Sequence, residues 1–232
     1  MSNLNIEHKT NKSIFIFIII AILTVLIVTL AYLLTKNKIE NNKDTYQRIV
    51  LDNLLKTSDI KFDNNILDSV IYVKNNKYLH SVNYNPIFIA KKENKITAVI
   101  IETIAPDGYN GNINVLVAIS PNFINIKESK IINIKITNHE ETPGLGDKAD
   151  EDKYYDKAIN WLKLFHDKSL DNPNDHKKWT VKKDNKDAII DSWTGATITP
   201  RAITKAVYKS LIFFEKHHEK IIHTKYKQKV TL

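Results

Sequence analysis

Residues 14–34 form 21 consecutive residues without a charge, a Pro or a Gly. No other feature restricts the fold of this chain as strongly. At 1.5 Å per residue, a helix of that length spans about 31 Å, which matches the hydrocarbon core of a bilayer. The rival reading is a cleaved signal sequence, whose apolar region is normally roughly 7–15 residues and ends in small residues. Here bulky Tyr32, Leu33 and Leu34 occupy the end. The run is therefore expected to be a retained transmembrane helix. A polar segment, 1–13, precedes it, and a polar, helix-prone stalk, 35–57, follows it. Val50, Leu51, Leu54 and Leu55 recur at helical spacing, so the end of the stalk is expected to pack on the domain beyond. Charge counting does not orient the span. Lys9 and Lys12 precede it, whereas Lys36, Lys38, Lys43 and Arg48 follow it. A simple count leaves the C-terminal bulk in the cytoplasm, yet long domains often cross regardless of such counts.

Composition removes several function classes. Lys and Arg number 34 against 26 Asp and Glu, a net charge of +8. Only Arg48 and Arg201 are arginines. A nucleic-acid binder would cluster Arg and aromatic residues on one face. Lys and acids are instead interspersed, as in 147–157, so a solvated surface and no nucleic-acid partner are expected. The absence of Cys excludes disulfides, thiolate-held zinc, cysteine-held iron–sulfur clusters and thiol catalysis. It equally excludes the lipid-bearing Cys of a lipoprotein. Any redox role must use another cofactor.

Beyond the stalk, the pattern predicts one α+β domain over 58–218 on a mainly antiparallel sheet. Residues 59–80 suit a short helix and a strand at 71–73. Residues 86–91 and 95–104 suit a hairpin around Asn94. A turn-rich loop, 105–111, leads to a strand at 113–119. A further strand at 130–137 places Ile132, Ile134 and Ile136 on one face. Residues 151–165 suit a helix with Tyr155, Ile159, Leu162 and Phe165 in a stripe. A hairpin is expected around Asp184, Asn185 and Lys186. A helix over 200–218 carries Ala202, Ile203, Ala206, Val207, Ser210, Phe213 and Phe214 on one side. The basic tail, 219–232, shows no clear structure.

Between the apolar run 188–190 and that last helix lies Asp191-Ser192-Trp193-Thr194-Gly195-Ala196-Thr197-Ile198-Thr199-Pro200. Gly195 and Ala196 let the backbone turn without bulk. Thr194, Thr197 and Thr199 offer three hydroxyls. Thr199 suits an N-cap and Pro200 a first helical residue. A turn entering a helix N-terminus favours a phosphate, because free N–H groups and the helix dipole point there.

Asp191, Thr194, Gly195, Ala196 and Thr197 fit Asp-x-x-Ser/Thr-Gly-Ala-Ser/Thr, the signature of domains that carry FMN through a phosphoester bond to the last hydroxyl. The loop from His139 through Glu140, Glu141, Thr142, Pro143, Gly144, Leu145, Gly146 and Asp147 to Lys148 resembles a second part of the same family. The segment from Ala105 through Pro106, Asp107, Gly108, Tyr109 and Asn110 to Gly111 resembles a third. The chain thus resembles the G subunit of the Rnf (or Rsx) membrane electron-transport complex. The related C subunit of the sodium-translocating NADH:quinone reductase shares the FMN motif and is the alternative.

The resemblance implies covalent FMN on Thr197, placed there by a separate flavin transferase that uses FAD and Mg²⁺. It implies partner subunits in a bacterial inner-membrane complex, ion movement coupled to electron flow, and ferredoxin or NADH as a distant electron donor or acceptor. It places the FMN domain on the periplasmic side. Asp191, Thr194, Gly195 and Ala196 would surround the attachment point. Arg201, one turn on, suits either a phosphate partner or an ordinary surface charge. Glu141, Thr142, Gly144 and Leu145 become candidates for contact with the isoalloxazine ring. Pro143, Gly144 and Gly146 shape the backbone there. His139, Glu140 and Glu141 lack a fourth ligand nearby, so a flavin-shaping or solvated loop is favoured over a metal site. Tyr109 and Trp193 suit either flavin stacking or packing, with packing favoured for Tyr109. Trp161 and Trp179 read as packing residues, and His217 and His218 as exposed helix-end residues. A rival of another class is a membrane-anchored binding or scaffold domain without flavin.

Overall fold

A computed structural model describes residues 2–56 (2–13 as backbone only), 60–150, 160–193 and 195–232. The chain divides into two compact units, one ending at Ile49 and the other Val50–Leu232.

The first unit belongs to helix α1, Ser2–Lys56. It contains a stretch long and apolar enough to cross a membrane. Its apolar side chains between Ile14 and Leu34 are exposed. The threonine hydroxyls within that stretch are satisfied internally. Thr24 Oγ1 donates to the Ile20 carbonyl at 2.8 Å and Thr29 Oγ1 to that of Val25 at 2.7 Å. Internal pairing of this kind is what a hydrocarbon environment demands.

The second unit is built on one six-stranded sheet. The elements are β1 Val70–Lys74, α2 Asn76–Leu79, β2 Asn85–Lys92, β3 Lys95–Gly108, β4 Gly111–Ser120, β5 Lys130–Asn138, α3 Ile198–His223 and β6 Lys229–Thr231. The strand order is β5-β4-β3-β2-β1-β6. All pairs are antiparallel except β1 with β6. The β2–β3 hairpin closes on Glu93 and Asn94, both at positive φ (50° and 62°). Two such residues are what a tight hairpin turn requires.

The central strands read as continuous apolar runs because both faces are covered. On one face, Ile87, Val99, Ile101, Val115 and Val117 meet Ile203, Ala206, Val207 and Phe214 of α3, together with Trp161 and Phe165. On the other, Ala90, Ala98, Ile100 and Ala118 receive Val50, Leu51, Leu54 and Leu55 from the last turns of α1. Small residues in the sheet leave room for that helix to lie close.

The structure departs from expectation at several points. Ile132 does not share a face with Ile134 and Ile136. The pairing with β4 shifts between Ala118 and Ile119, so Ile132 is an extra residue in β5. This β-bulge turns Ile132 into the second core, while Ile131 and Ile134 enter the first. The short helix α2 follows β1 rather than preceding it. The loop expected at 105–111 is mostly strand. β3 runs to Gly108 with a bulge after Ala105, leaving a two-residue turn, Tyr109–Asn110. The helix predicted over 151–165 falls partly outside the described residues, including Tyr155 and Ile159. Its remainder, Trp161–Phe165, is a 3-10 turn capped by Asn160. The expected hairpin around Asp184 reduces to one parallel bridge between Val181 and Ile190. The basic tail is ordered. Helix α3 continues to His223, and Lys229–Thr231 adds a strand beside β1. Three residues led by Lys229 are too short to show in a hydrophobicity pattern, and a lysine on an edge strand discourages further pairing.

Candidate functional site

Three segments meet at the end of the sheet marked by the β3–β4 turn. They are that turn, the loop after β5, and the segment entering α3. Between them lies a cavity of about 330 Å³ lined by Tyr109, Glu141, Thr142, Leu145, Gly146, Gly195, Ala196, Thr197, Ile198 and Thr199.

The loop after β5 folds on its own local signals. Leu145 N–H donates to the Thr142 carbonyl at 3.1 Å, with Pro143 and Gly144 between them. Gly144 sits at φ +77°. Pro followed by a residue at positive φ is the order of a type II turn. The turn leaves Leu145 exposed on the cavity wall. Gly146 comes next, and a Cβ there would strike the Glu141 carboxylate. That close approach requires glycine.

Glu141 is 6% exposed and ties the three segments together. One carboxylate oxygen accepts from the Asn110 backbone N–H at 3.2 Å, and the other from Thr199 Oγ1 at 2.5 Å. Asn110 returns the contact through its side-chain amide, which donates to the Glu140 carbonyl at 2.9 Å and to Thr142 Oγ1 at 3.2 Å. His139 accepts the Glu141 backbone N–H on Nδ1 at 3.0 Å. That nitrogen therefore carries no proton, and Nε2 donates to Asp150 at 2.9 Å. These contacts make His139 a neutral loop fastener. Among the described residues no group of three or more His, Asp or Glu is placed to hold a metal ion.

The segment entering α3 is anchored by aromatic rings. Trp193 is buried, and its Nε1–H donates to the Leu145 carbonyl at 2.7 Å. Trp161 packs edge-on against Trp193, with centroids 5.0 Å apart and planes at 89°. Trp161 Nε1–H donates to the Asp191 carbonyl at 2.6 Å, and the Asp191 carboxylate pairs with Lys182 at 2.8 Å. Both tryptophans thus serve packing and positioning. Tyr109, for which packing was favoured, is instead 67% exposed at the cavity.

The hydroxyls of the motif divide sharply. Thr194 lies outside the described residues. Thr199, expected as the N-cap, is inside the first turn of α3 and is 1% exposed, its hydroxyl taken by Glu141. Thr197 occupies the cap position, yet its side chain makes no capping hydrogen bond. Pro200 is the third helical residue, where a missing N–H costs little. Gly195 holds φ +94°, and a Cβ there would stand 3.2 Å from Leu145 Cδ2. The chain can turn toward the cavity at that point because the residue is glycine.

Of the two readings left open for Arg201, the geometry is that of a paired surface charge. Arg201 grips Asp184 in a two-pronged pair, Nε to Oδ2 at 2.5 Å and Nη2 to Oδ1 at 2.6 Å. That guanidinium holds the Asp184 carboxyl below the usual carboxylate range. Among the described residues, the cation at Thr197 is Lys183, whose Nζ donates to Oγ1 at 3.1 Å. Nothing in the sequence singles out Lys183 among its lysine neighbours. Its role depends on a turn that folds back toward α3.

The match to known proteins follows the same outline. An FMN-binding domain family model covers residues 108–212, from the end of β3 through most of α3. This is the class of module that the sheet, the cavity and the glycine-rich turns define. Over longer spans the chain is 35% identical to the G subunit of the ion-translocating oxidoreductase complex of Aliivibrio fischeri strain MJ11, across 91% of this chain and 93% of the relative. The corresponding protein of Shewanella amazonensis is 41% identical across 77% and 76% of the two chains. That of Buchnera aphidicola subsp. Baizongia pistaciae is 35% identical across 80% and 78%. The chain belongs to the family of G subunits of the ion-translocating oxidoreductase complex.

Proposed function

We propose that this chain is an electron-carrier subunit of a membrane-bound ion-translocating oxidoreductase and holds FMN covalently on Thr197. The observation that carries the reading is the state of that hydroxyl. Thr197 Oγ1 lies on the cavity wall at the N-terminus of a 26-residue helix, makes no cap, and receives an ammonium. A phosphodiester on this oxygen would meet the positive end of the helix dipole and the free N–H groups of the first turn. Glycine at 195 leaves the approach clear of a side chain.

Bound FMN supplies reversible electron transfer. The protein contributes attachment, position and surroundings. Thr142 and Leu145 line one wall of the cavity, Ala196 and Ile198 another, and Tyr109 stands at its edge as an aromatic surface for a planar ring. Attachment proceeds by a flavin transferase acting on FAD with Mg²⁺. In that reaction the Thr197 oxygen would take the FMN phosphoryl group from FAD, with AMP as the leaving group and the hydroxyl proton passing to solvent. Covalent tethering suits a compartment where free FMN would diffuse away, which supports the periplasmic side for this domain. The α1 span anchors it beside the other subunits of the complex.

The test is in-gel fluorescence of the denatured full-length chain after coexpression with a flavin transferase. A fluorescent band is expected, and mass spectrometry should place one FMN on the peptide containing 191–201. A dark band beside a labelled control substrate would instead favour a scaffold domain without flavin.

A further inference from the structure

We infer that Lys183 is the cation that serves the phosphate at Thr197, and that Arg201 acts only by positioning the turn that carries Lys183. The inference rests on the reading of Thr197 as the attachment site.

Among the described residues, Lys183 and Arg201 near Thr197 are differently committed. Arg201 is the obvious phosphate partner from its place in the first helical turn. Its planar fork is already spent on Asp184, through Nε and Nη2. A second prop holds the same carboxylate, because Thr180 Oγ1 donates to Asp184 Oδ2 at 3.3 Å. Asp184 follows Lys183 directly, so the Asp184–Arg201 pair fastens the 182–187 turn against the start of α3. Lys183 is thereby delivered to Thr197, with its Nζ 3.1 Å from Oγ1. Lys183 is exposed and Thr197 only half-buried, so the ammonium stands where a substrate must approach.

The chemistry suits an ammonium. A phosphoryl group arriving at Thr197 brings negative charge on its non-bridging oxygens. Lys supplies a compact positive charge on a flexible stem, which can follow the phosphorus from the incoming anhydride to the finished diester. A guanidinium locked in a fork cannot follow. The ammonium also donates to Oγ1, so it leaves the hydroxyl hydrogen free to depart. Because the pair is exposed, salt should weaken the effect.

The experiment follows the rate of flavin attachment to the full-length chain in detergent, with purified flavin transferase, FAD and Mg²⁺, read by in-gel fluorescence. Lys183→Ala should slow attachment about five-fold, the equivalent of about 1 kcal/mol, and Lys183→Arg should recover most of the rate. High salt should narrow the gap between wild type and Lys183→Ala. Unfolding followed by tryptophan fluorescence should be unchanged, since Lys183 is an exposed turn residue. Asp184→Asn separates the two arginine roles. If Arg201 positions the turn, releasing it slows attachment. If Arg201 is itself the phosphate partner, releasing it speeds attachment and the inference is wrong. Equal rates for wild type and Lys183→Ala at low salt would also overturn it. A wild-type chain that stays dark beside a labelled control would sink the attachment site itself, and this inference with it.

Discussion

Thr197 and Thr199 stand two residues apart at the start of α3, and their surroundings are opposite. Thr199 faces inward. Its hydroxyl is buried and bonded to Glu141, which also holds the β3–β4 turn. Thr197 faces the cavity, half-buried, with the flexible Lys183 on its oxygen. The same contrast extends to the charges nearby. The Glu141 carboxylate is shielded from water. The Asp184–Arg201 pair is open to it, and there an ion pair contributes only about 0–1 kcal/mol. One side of the helix start is therefore built for architecture, and the other is the side proposed for chemistry. A hydroxyl already committed to a buried carboxylate is a poor acceptor for a large charged group. A hydroxyl left uncapped on a cavity wall is a good one.

The largest expected effect separates the two hydroxyls directly. Thr197→Val should abolish covalent attachment and leave the unfolding midpoint close to wild type. Thr199→Val should still be modified but should be less stable, because a buried Glu141 oxygen loses its donor. Flavin retained on the Thr197 variant would reverse the assignment of roles.

Next in size is the carboxylate. Glu141→Ala removes the acceptor shared by Asn110 and Thr199. Leaving buried donors unmatched costs about 1–3 kcal/mol, and a domain of this size loses roughly 2–4 °C of midpoint per kcal/mol. Glu141→Gln keeps one acceptor oxygen and should fall between the two. All three tryptophans are buried in this unit, so their fluorescence reports its unfolding. An alanine variant as stable as wild type would show that the cluster is not what joins the three segments.

Gly195→Ala probes the boundary between the two sides. The residue must hold φ +94°, and the new methyl group would press on Leu145. Left-handed backbone costs an alanine about 1–2 kcal/mol. The exposed Leu145 side chain can move aside, so the backbone should dominate the loss. Attachment should slow as well, because the turn presents Thr197. Normal stability with slow attachment would mean that the methyl group obstructs the transferase rather than straining the chain.

How much of this is legible in the sequence depends on the range of the interaction. The span at 14–34, the β2–β3 hairpin and the apolar stripe of α3 follow from local periodicity, and the structure contains each of them. The motif ending at Thr197 and the loop at 139–147 are also local strings. What escapes are pairings between distant segments. The Glu141–Thr199 bond spans 58 residues and the Lys183–Thr197 bond 14. Thr199 looks like a cap because capping is local, but a buried carboxylate from another loop claims its hydroxyl. Arg201 looks like a phosphate partner because it lies one turn on, but Asp184 claims its fork. Ile132 changes faces because a single extra residue in β5 shifts the alternation, which periodicity alone does not reveal. The β6 strand escapes because its stability comes from β1, not from its own three residues.

The smallest effect tests whether burial, rather than the kind of bond, sets the difference. A third polar contact on α3 is intermediate. His80 Nε2 lies 2.8 Å from Lys209 Nζ. Lys can only donate, so His80 accepts and is neutral. Burial lowers the His80 pKa first, and the charges of Lys209 and Lys205 lower it further, while Asp107 opposes them. The unfolded chain therefore takes up this proton before the folded one as pH falls. The stabilisation is complete above the ordinary histidine value of 6.5 and is lost as pH drops from there through the lower folded value. His217 is lowered in the same direction, by burial and then by Lys220 and Lys216, so the two should add. The unfolding midpoint should fall between pH 7 and pH 5, and His80→Asn should flatten part of that fall. Asn is a suitable replacement because His80 sits at φ 50°, a left-handed conformation that Asn tolerates. At pH 8 the variant should stay within about 1 kcal/mol of wild type, the usual worth of one hydrogen bond. A variant whose acid loss is as steep as that of wild type would place the titration elsewhere. A loss at pH 8 as large as that of Glu141→Ala would mean that partial burial already makes a contact architectural, and the division between the two sides of α3 would have to be redrawn.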